Sequence, residues 1–207
     1  MTNSKTSSLT AYDVVLDIVR AQPGIDSVCS VVYVESENWL DEVNGTGLTP
    51  LALKRALRQD AGPRIFAEIP RGAVLQGALL TRQAQLASNE LLGITSRIST
   101  QQKGEMHIPM MDFHCAISSK NLGILSELLS ETGQEHGFIL ESGRSYHYYG
   151  KEVLTRDQWI GFLGKCLLMK NFVDERYVGH QLVDRHCVLR LSTSPRKPVI
   201  PSVVYAF

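Results

Sequence analysis

The spacing of apolar residues in the first hundred positions predicts alternating helices and strands. Apolar residues recur three or four positions apart from 14 to 19 and stop at a Pro-Gly pair, which predicts an amphipathic helix over 10–24. Short segments rich in valine, isoleucine and phenylalanine predict strands. The other predicted elements are strands 27–35 and 64–70 and helices 48–62 and roughly 72–92. This order is typical of a mixed α/β module.

The second half of the chain has a more regular pattern. The predicted elements are strand 106–118, helix 120–134, strands 137–142 and 145–150, helix 155–171, strand 185–193 and a further strand over 203–207. From about residue 106 the order is therefore β-α-β-β-α-β. That order is typical of ferredoxin-like and RRM-like folds, in which both helices pack on one face of an antiparallel sheet. The other face is then available for a ligand.

The pattern predicts an α/β (α+β) fold with an N-terminal α/β module and an RRM-like core. We assign residues 1–10 to a disordered leader, 11–104 to the module and 105–207 to the core, together forming one compact domain. The leader is polar and lacks the apolar segment of a signal peptide. No run approaches 18 apolar residues, so the sequence predicts no membrane span.

Charge and cysteine content narrow the classes of partner and compartment. Lys plus Arg and Asp plus Glu both number 21, so there is no global positive field, and nucleic-acid binding would need a local basic patch. The four cysteines lie far apart without a C-x-x-C spacing. This favours reduced, buried thiols in a cytoplasmic protein over a disulfide framework.

Asp112 and His114 lie on a predicted strand that is otherwise apolar. Side chains two positions apart on a strand point to the same face, so a carboxylate and an imidazole stand together there. Burying an unpaired carboxylate is costly, so Asp112 needs a partner, a metal or a proton. A satisfied carboxylate in the core and a half-buried histidine are the alternatives to a metal site.

A second polar group follows in the segment "SGRSYH", over residues 142–147. Ser145 and His147 are again two positions apart, and the glycine-containing turn before them is either an ordinary hairpin or a loop that holds phosphate. His147 stands among tyrosines, so aromatic packing is its alternative role. Farther on, Asp184 ends "LVD", and Arg190 and Lys197 lie in "LRLSTSPRKP".

Taken in order, these segments resemble the archaeo-eukaryotic primase (primase-polymerase) superfamily. That family has a D-x-D pair on one strand, an S-x-H motif, a hydrophobic residue followed by Asp, and then basic residues. The resemblance covers roughly residues 106–200, and "SGRSYH" is its most specific part. The N-terminal half corresponds to the family's variable module.

The resemblance implies a role for each matching residue. Residues implied to hold the triphosphate of a nucleotide are Ser142, Arg144, Ser145, His147, Arg190 and Lys197. Asp112 and Asp184 are implied to be catalytic and to bind a divalent cation, Mg²⁺ or Mn²⁺, with His114 as a further metal ligand. His114 stands where the family has its second Asp. Imidazole nitrogen in place of carboxylate oxygen disfavours Mg²⁺ relative to softer ions such as Mn²⁺.

Three functional hypotheses follow from this sequence. The first is a primase-polymerase-like nucleotidyltransferase module that uses a DNA or RNA template within a larger assembly containing a partner subunit. The second is a catalytically degenerate primase-like subunit that still binds nucleotide or nucleic acid. The third is an RRM-like domain that acts only through protein contacts.

Overall fold

The computed structural model describes residues 9–34, 57, 64–101 and 104–207. The helices in these ranges are α1 (Ala11–Ala21), α2 (Arg71–Leu75), α3 (Ala78–Gln83), α4 (Ser119–Glu131), α5 (Arg156–Leu167) and α6 (Glu175–Asp184). The strands are β1 (Ile25–Val34), β2 (Arg64–Pro70), β3 (Glu90–Thr100), β4 (Gly104–His107), β5 (Met110–Asp112), β6 (Gly137–Glu141), β7 (Tyr146–Gly150), β8 (Val188–Arg190) and β9 (Ser202–Ala206). The predicted helix over 48–62, apart from residue 57, and the leader up to residue 8 lie outside the described residues.

The strands form two antiparallel sheets, which confirms the predicted α+β class. The first sheet has the order β2-β1-β3-β4, and β8 pairs with β3 on the same side as β4. The eleven residues of β3 are long enough for both neighbours, because β8 pairs with Gly93–Thr95 and β4 with Arg97–Thr100. The second sheet has the order β5-β7-β6-β9.

Helices α4 and α5 cover one face of the second sheet, as the sequence predicts. On β7, Tyr148 lies 6.2 Å from the ring of Phe162 on α5, and the Tyr146 hydroxyl contacts Ser118, the residue before α4. Side chains alternate along a strand, so His147 points to the opposite face. That face is the one left for a ligand.

The last strand of the β-α-β-β-α-β unit departs from a regular ferredoxin-like sheet. Strand β8 pairs with β3 of the first sheet rather than with β5. Gly93 permits this approach, because a Cβ atom there would lie 3.0 Å from Val188 Cγ1 and 3.2 Å from the Leu189 carbonyl oxygen. Arg190 therefore projects from a strand of one sheet toward residues of the other.

The structure differs from the prediction in two of its helical regions. In place of one helix over 72–92, α2 and α3 are separated at Gly77, whose φ of +87° breaks a helix, and β3 begins at Glu90. Helix α6 was assigned to no element by the sequence pattern. Its apolar residues are few, and only two of its side chains are buried.

The predicted strands around residues 106–118 and 185–193 are shorter than expected. Pro109 divides the first into β4 and β5, which belong to different sheets, because proline has no N–H to donate to a continuous ladder. The second is reduced to three residues of β8. In the described part of the chain, no helix has the length and apolar content needed to cross a membrane.

A single cluster of buried apolar residues runs through both sheets and their helices. The four cysteines are free and buried, as the sequence predicts. Fully buried His107 stacks on Trp159, with ring centroids 4.4 Å apart, and its Nδ1 lies 3.2 Å from Ser96 Oγ. The same Oγ accepts a hydrogen bond from the Cys187 backbone N–H, so this network links β4, β3 and the start of β8.

We predict that His107 makes stability depend on pH. Burial lowers its pKa to about 4 in the fold, against about 6.5 when unfolded. Between these two values only the unfolded chain takes up this proton. The free energy of unfolding therefore decreases as the pH is lowered from 6.5 toward 4, by up to roughly 1.4 kcal/mol per pH unit. His107→Phe keeps a ring on Trp159 but does not titrate. When the free energy of unfolding is measured in urea from pH 4.5 to 7, its slope against pH should be smaller in this variant than in wild type, by the contribution of up to one proton.

The matched control is His136→Gln, since His136 is exposed and its replacement should leave the slope unchanged. Equal slopes for wild type and His107→Phe would contradict the prediction.

Candidate functional site

The pairing of β5 with β7 places an acid beside an imidazole. Asp112 lies opposite His147 in the register, and Asp112 Oδ1 lies 3.7 Å from His147 Nε2. The His147 side chain is only 5% exposed, whereas that of Asp112 is 42% exposed. His147 Nδ1 is buried and has no hydrogen-bond partner. The carboxylate of the pair is therefore partly exposed to solvent, and the Nδ1 atom of the imidazole ring has no hydrogen-bond partner.

The hairpin between β6 and β7 forms a tight loop over residues 142–145. The Ser142 backbone N–H and Oγ both donate to the Ser145 carbonyl oxygen, at 2.9 and 3.1 Å. Gly143 has a φ of +114°, a conformation that residues with a side chain rarely adopt. Arg144 is exposed beside it. The segment "SGRS" is thus a structured turn with its hydroxyl groups close together.

Residues after β8 form the facing wall. A turn over 194–197 is closed by reciprocal hydrogen bonds between the backbone groups of Ser194 and Lys197. Arg190 is buried and donates through Nη1 to the carbonyl oxygens of Ser192 and Val199, and through Nη2 to that of Ser142. Its guanidinium therefore joins this wall to the hairpin loop.

Between these elements lies a cleft of about 750 Å³. It is lined by Asp112, Ser142, Gly143, Arg144, Ser145, His147, Arg190, Pro195, Arg196, Lys197, Pro198 and Val199. Seven of the nine site residues proposed from sequence are among them. Four cations and one carboxylate give the lining a formal charge of +3, so the cleft favours a polyanion.

Burial and neighbouring charges shift the titration of the acid and the imidazole. Burial raises the pKa of Asp112 to about 6, against the opposing effects of Lys197 and Arg190. Burial lowers the pKa of His147 well below its usual value, and the same two cations add to this shift. At neutral pH His147 is therefore uncharged and offers one donor and one acceptor.

Two proposed site residues do not line the cleft. His114 is exposed next to it, close enough to lower the pKa of Asp112, and its backbone N–H donates to the Phe172 carbonyl oxygen. Asp184 ends α6 and pairs with Arg64 on β2, with Nη1 and Oδ2 3.0 Å apart. Strand β2 is the outer strand of the first sheet, so this carboxylate is engaged away from the lining residues.

A carboxylate that the sequence reasoning missed is Asp174. It caps the N-terminus of α6, and its neighbour Val173 bridges Phe113 at the end of β5. Its charge contributes to the raised pKa of Asp112, so the two carboxylates are electrostatic neighbours. The segment "FVD" at 172–174 is also a hydrophobic residue followed by Asp, as "LVD" at 182–184 is. That signal was present in the sequence but was not used.

Two carboxylates near this site are of the type that binds a hard divalent ion. Asp112 and Asp174 provide hard carboxylate oxygens, and their mutual repulsion is the kind that a bound cation relieves. Across the described residues, no three His, Cys, Asp or Glu side chains come together to hold a metal ion. The side chains present therefore do not form a complete metal centre by themselves.

We predict that Gly143→Ala distorts the hairpin loop. An added Cβ would meet only ordinary contacts, the nearest at 3.7 Å, so the cost comes from the positive φ and should be about 1–3 kcal/mol of unfolding free energy. Gly164→Ala on α5 is the control, because its Cβ meets nothing within 4 Å. It should stabilise by roughly 0.5–1 kcal/mol. Equal effects in thermal or urea unfolding would contradict this prediction.

One of three comparisons with known proteins gives a match. Searches among curated proteins and among solved structures return no match. The family model for archaeo-eukaryotic primase 1D-like proteins matches residues 73–201, which is more than half of the 207 residues and includes every residue that lines the cleft. The chain therefore belongs to the archaeo-eukaryotic primase-like family, as the order of its motifs predicts.

Proposed function

We propose that this primase-like protein binds the triphosphate of a nucleoside triphosphate in its basic cleft. The observation that supports the proposal most strongly is the convergence of Arg144, Arg196 and Lys197 on one cleft with the "SGRS" loop. Phosphate oxygens accept hydrogen bonds from such cations and from serine hydroxyls. A formal charge of +3 complements a triphosphate without any contribution from the rest of the nucleotide.

His147 supplies a neutral contact to the same ligand. Its Nε2 faces Asp112, which also lines the cleft. In the tautomer with Nε2–H, this nitrogen would donate to a phosphate oxygen, whereas the buried Nδ1 is out of reach of a ligand. Ser142 and Ser145 lie at the turn and add hydroxyl groups beside it.

Recognition in this cleft rests on phosphate rather than on the base. Among the lining residues, all of them in the described part of the chain, only His147 carries an aromatic ring. The apolar lining consists of Pro195, Pro198 and Val199. Base stacking normally uses aromatic or guanidinium planes. In our proposal the exposed guanidinium groups, those of Arg144 and Arg196, bind phosphate, which leaves little to stack on the base.

A divalent cation fits beside the phosphates. Asp112 and Asp174 would hold one Mg²⁺ or Mn²⁺ ion, with phosphate oxygens completing its coordination. His114, whose charge acts on Asp112, is the candidate nitrogen ligand. Divalent metals are used generally in the archaeo-eukaryotic primase superfamily. When bound, such an ion neutralises phosphate charge.

We predict that neutralising two cations of the cleft weakens binding of a triphosphate. The double variant Arg144→Gln, Lys197→Gln should bind ATP and inorganic tripolyphosphate at least about tenfold more weakly in calorimetry, since two charged contacts are lost. Lys120→Gln with Lys170→Gln is the control, because it removes the same charge from exposed sites elsewhere. Equal affinity of both double variants and wild type would sink the proposal and favour a domain that acts only through protein contacts.

The second candidate function is templated nucleotidyl transfer. The observation in its favour is that the charge of Asp174 acts on Asp112, which lines the cleft. Mg²⁺ is usually bound through one or two carboxylates together with the phosphates of the substrate. We propose that a DNA or RNA template and a partner subunit complete the site, because the cleft itself accounts only for the nucleotide's phosphates.

We predict that Asp174, and not Asp184, supports metal binding. Asp112→Asn and Asp174→Asn should each weaken Mn²⁺ binding in the presence of ATP by about tenfold, as one charged ligand is lost. Asparagine retains the capping ability of Asp174. Asp184→Asn is the matched control and should bind Mn²⁺ as wild type does, because Asp184 pairs with Arg64. Electron paramagnetic resonance of Mn²⁺ measures this directly.

Primer extension with Mn²⁺ and a template then separates the two candidate functions. Product formation by wild type that is lost in Asp112→Asn supports nucleotidyl transfer. Triphosphate binding without any product, alone or with added template, supports a binding module.

A further inference from the structure

We propose that Arg190 is a positioning residue that braces the two walls of the cleft, rather than a ligand of the phosphates. Its guanidinium donates to carbonyl oxygens from three separate segments: Ser142 in the hairpin loop, Ser192 just after β8, and Val199 beyond the turn. The brace itself is independent of any ligand. Only its effect on binding rests on the proposed function.

The donors of Arg190 are largely committed to the protein. A guanidinium has five N–H groups. Nη1 uses two of them, at 3.0 Å to Ser192 O and 2.7 Å to Val199 O, and Nη2 uses a third for Ser142 O. At most two donors are left for other partners. With only 4% of its surface exposed, Arg190 serves the ligand mainly by fixing the groups around it.

The brace connects the two sheets across the cleft. Arg190 is anchored in the first sheet by the pairing of β8 with β3, where it lies opposite Gly93. Ser142 belongs to the hairpin that ends β6 in the second sheet. Losing the guanidinium would leave three carbonyl oxygens without this donor, which favours separation of the hairpin loop from the 194–199 segment.

Lysine cannot replace this geometry. The guanidinium is a planar fork that reaches several acceptors in fixed directions, whereas an ammonium group is a compact charge on a flexible stem. A residue that only attracted phosphate would tolerate Arg190→Lys, because the charge is kept. A brace would not tolerate it.

The first test uses the wild-type protein without ligand. Nuclear magnetic resonance of arginine side chains should show the guanidinium N–H groups of Arg190 exchanging with water at least about tenfold more slowly than those of Arg144, which is exposed in the same cleft. Adding inorganic tripolyphosphate should leave the Arg190 signals protected. Exchange as fast as that of Arg144 in the free protein would overturn the proposal.

The second test compares Arg190→Lys with Arg144→Lys in hydrogen–deuterium exchange of the ligand-free proteins. Arg190→Lys should speed amide exchange in residues 142–145 and 194–199 by about tenfold while leaving α1 unchanged. Arg144→Lys should change neither segment. Unchanged exchange in both segments of Arg190→Lys would contradict the brace, whereas a uniform increase that includes α1 would assign Arg190 a role in global stability instead.

The third test measures binding of tripolyphosphate. Arg190→Lys and Arg190→Met should lose affinity equally, by about tenfold, while Arg144→Lys stays within about threefold of wild type. Near-normal binding by Arg190→Lys alongside a loss in Arg190→Met would show that Arg190 acts through its charge and overturn the proposal. If wild type binds no triphosphate, the proposed function fails, and the two exchange experiments still decide the brace.

Discussion

The pairing of β8 with β3 is the constraint on which the cleft depends. In a regular ferredoxin-like unit β8 would lie beside β5, whereas here it belongs to the other sheet. Gly93 makes that pairing possible by leaving space for Val188 and Leu189. As a result, the polar face of β5 and β7 is confronted by Arg190 and by the turn that follows it, instead of being extended into a flat surface.

Electrostatics then give the two walls different characters. The wall from the second sheet carries one recessed acid, Asp112, and a neutral imidazole, His147, whereas the opposite wall carries Arg190, Arg196 and Lys197. The cations lower the pKa of Asp112, but the larger effect of desolvation raises it. In the binding mode that we propose, a divalent ion would lie near Asp112 and the phosphates would contact the cations of the cleft.

Much of this arrangement was predictable from the sequence, because the informative signals are local. The strands over 137–150 and their turn depend on alternation and on Gly143, and the positions of Ser145 and His147 follow from the strand period. The family was recognised from the same segment. The first-sheet strand β3 was missed because its second half is polar and its partners lie far away in the chain.

The sequence is equally unable to distinguish two acidic residues that are candidates for the site. Asp174 and Asp184 each follow a hydrophobic residue, so their local sequences do not distinguish them. What separates them is tertiary: Val173 bridges Phe113 beside Asp112, whereas Asp184 meets Arg64 on the outer strand of the first sheet. The sequence motif alone therefore does not indicate which of the two acids lies near Asp112.

The excess of positive charge in the cleft also has a consequence for the stability of the fold. Four cations around one acid repel one another when no anion is bound, so the empty site works against the stability of the fold that carries it. A bound anion would relieve this repulsion and so raise the stability of the fold.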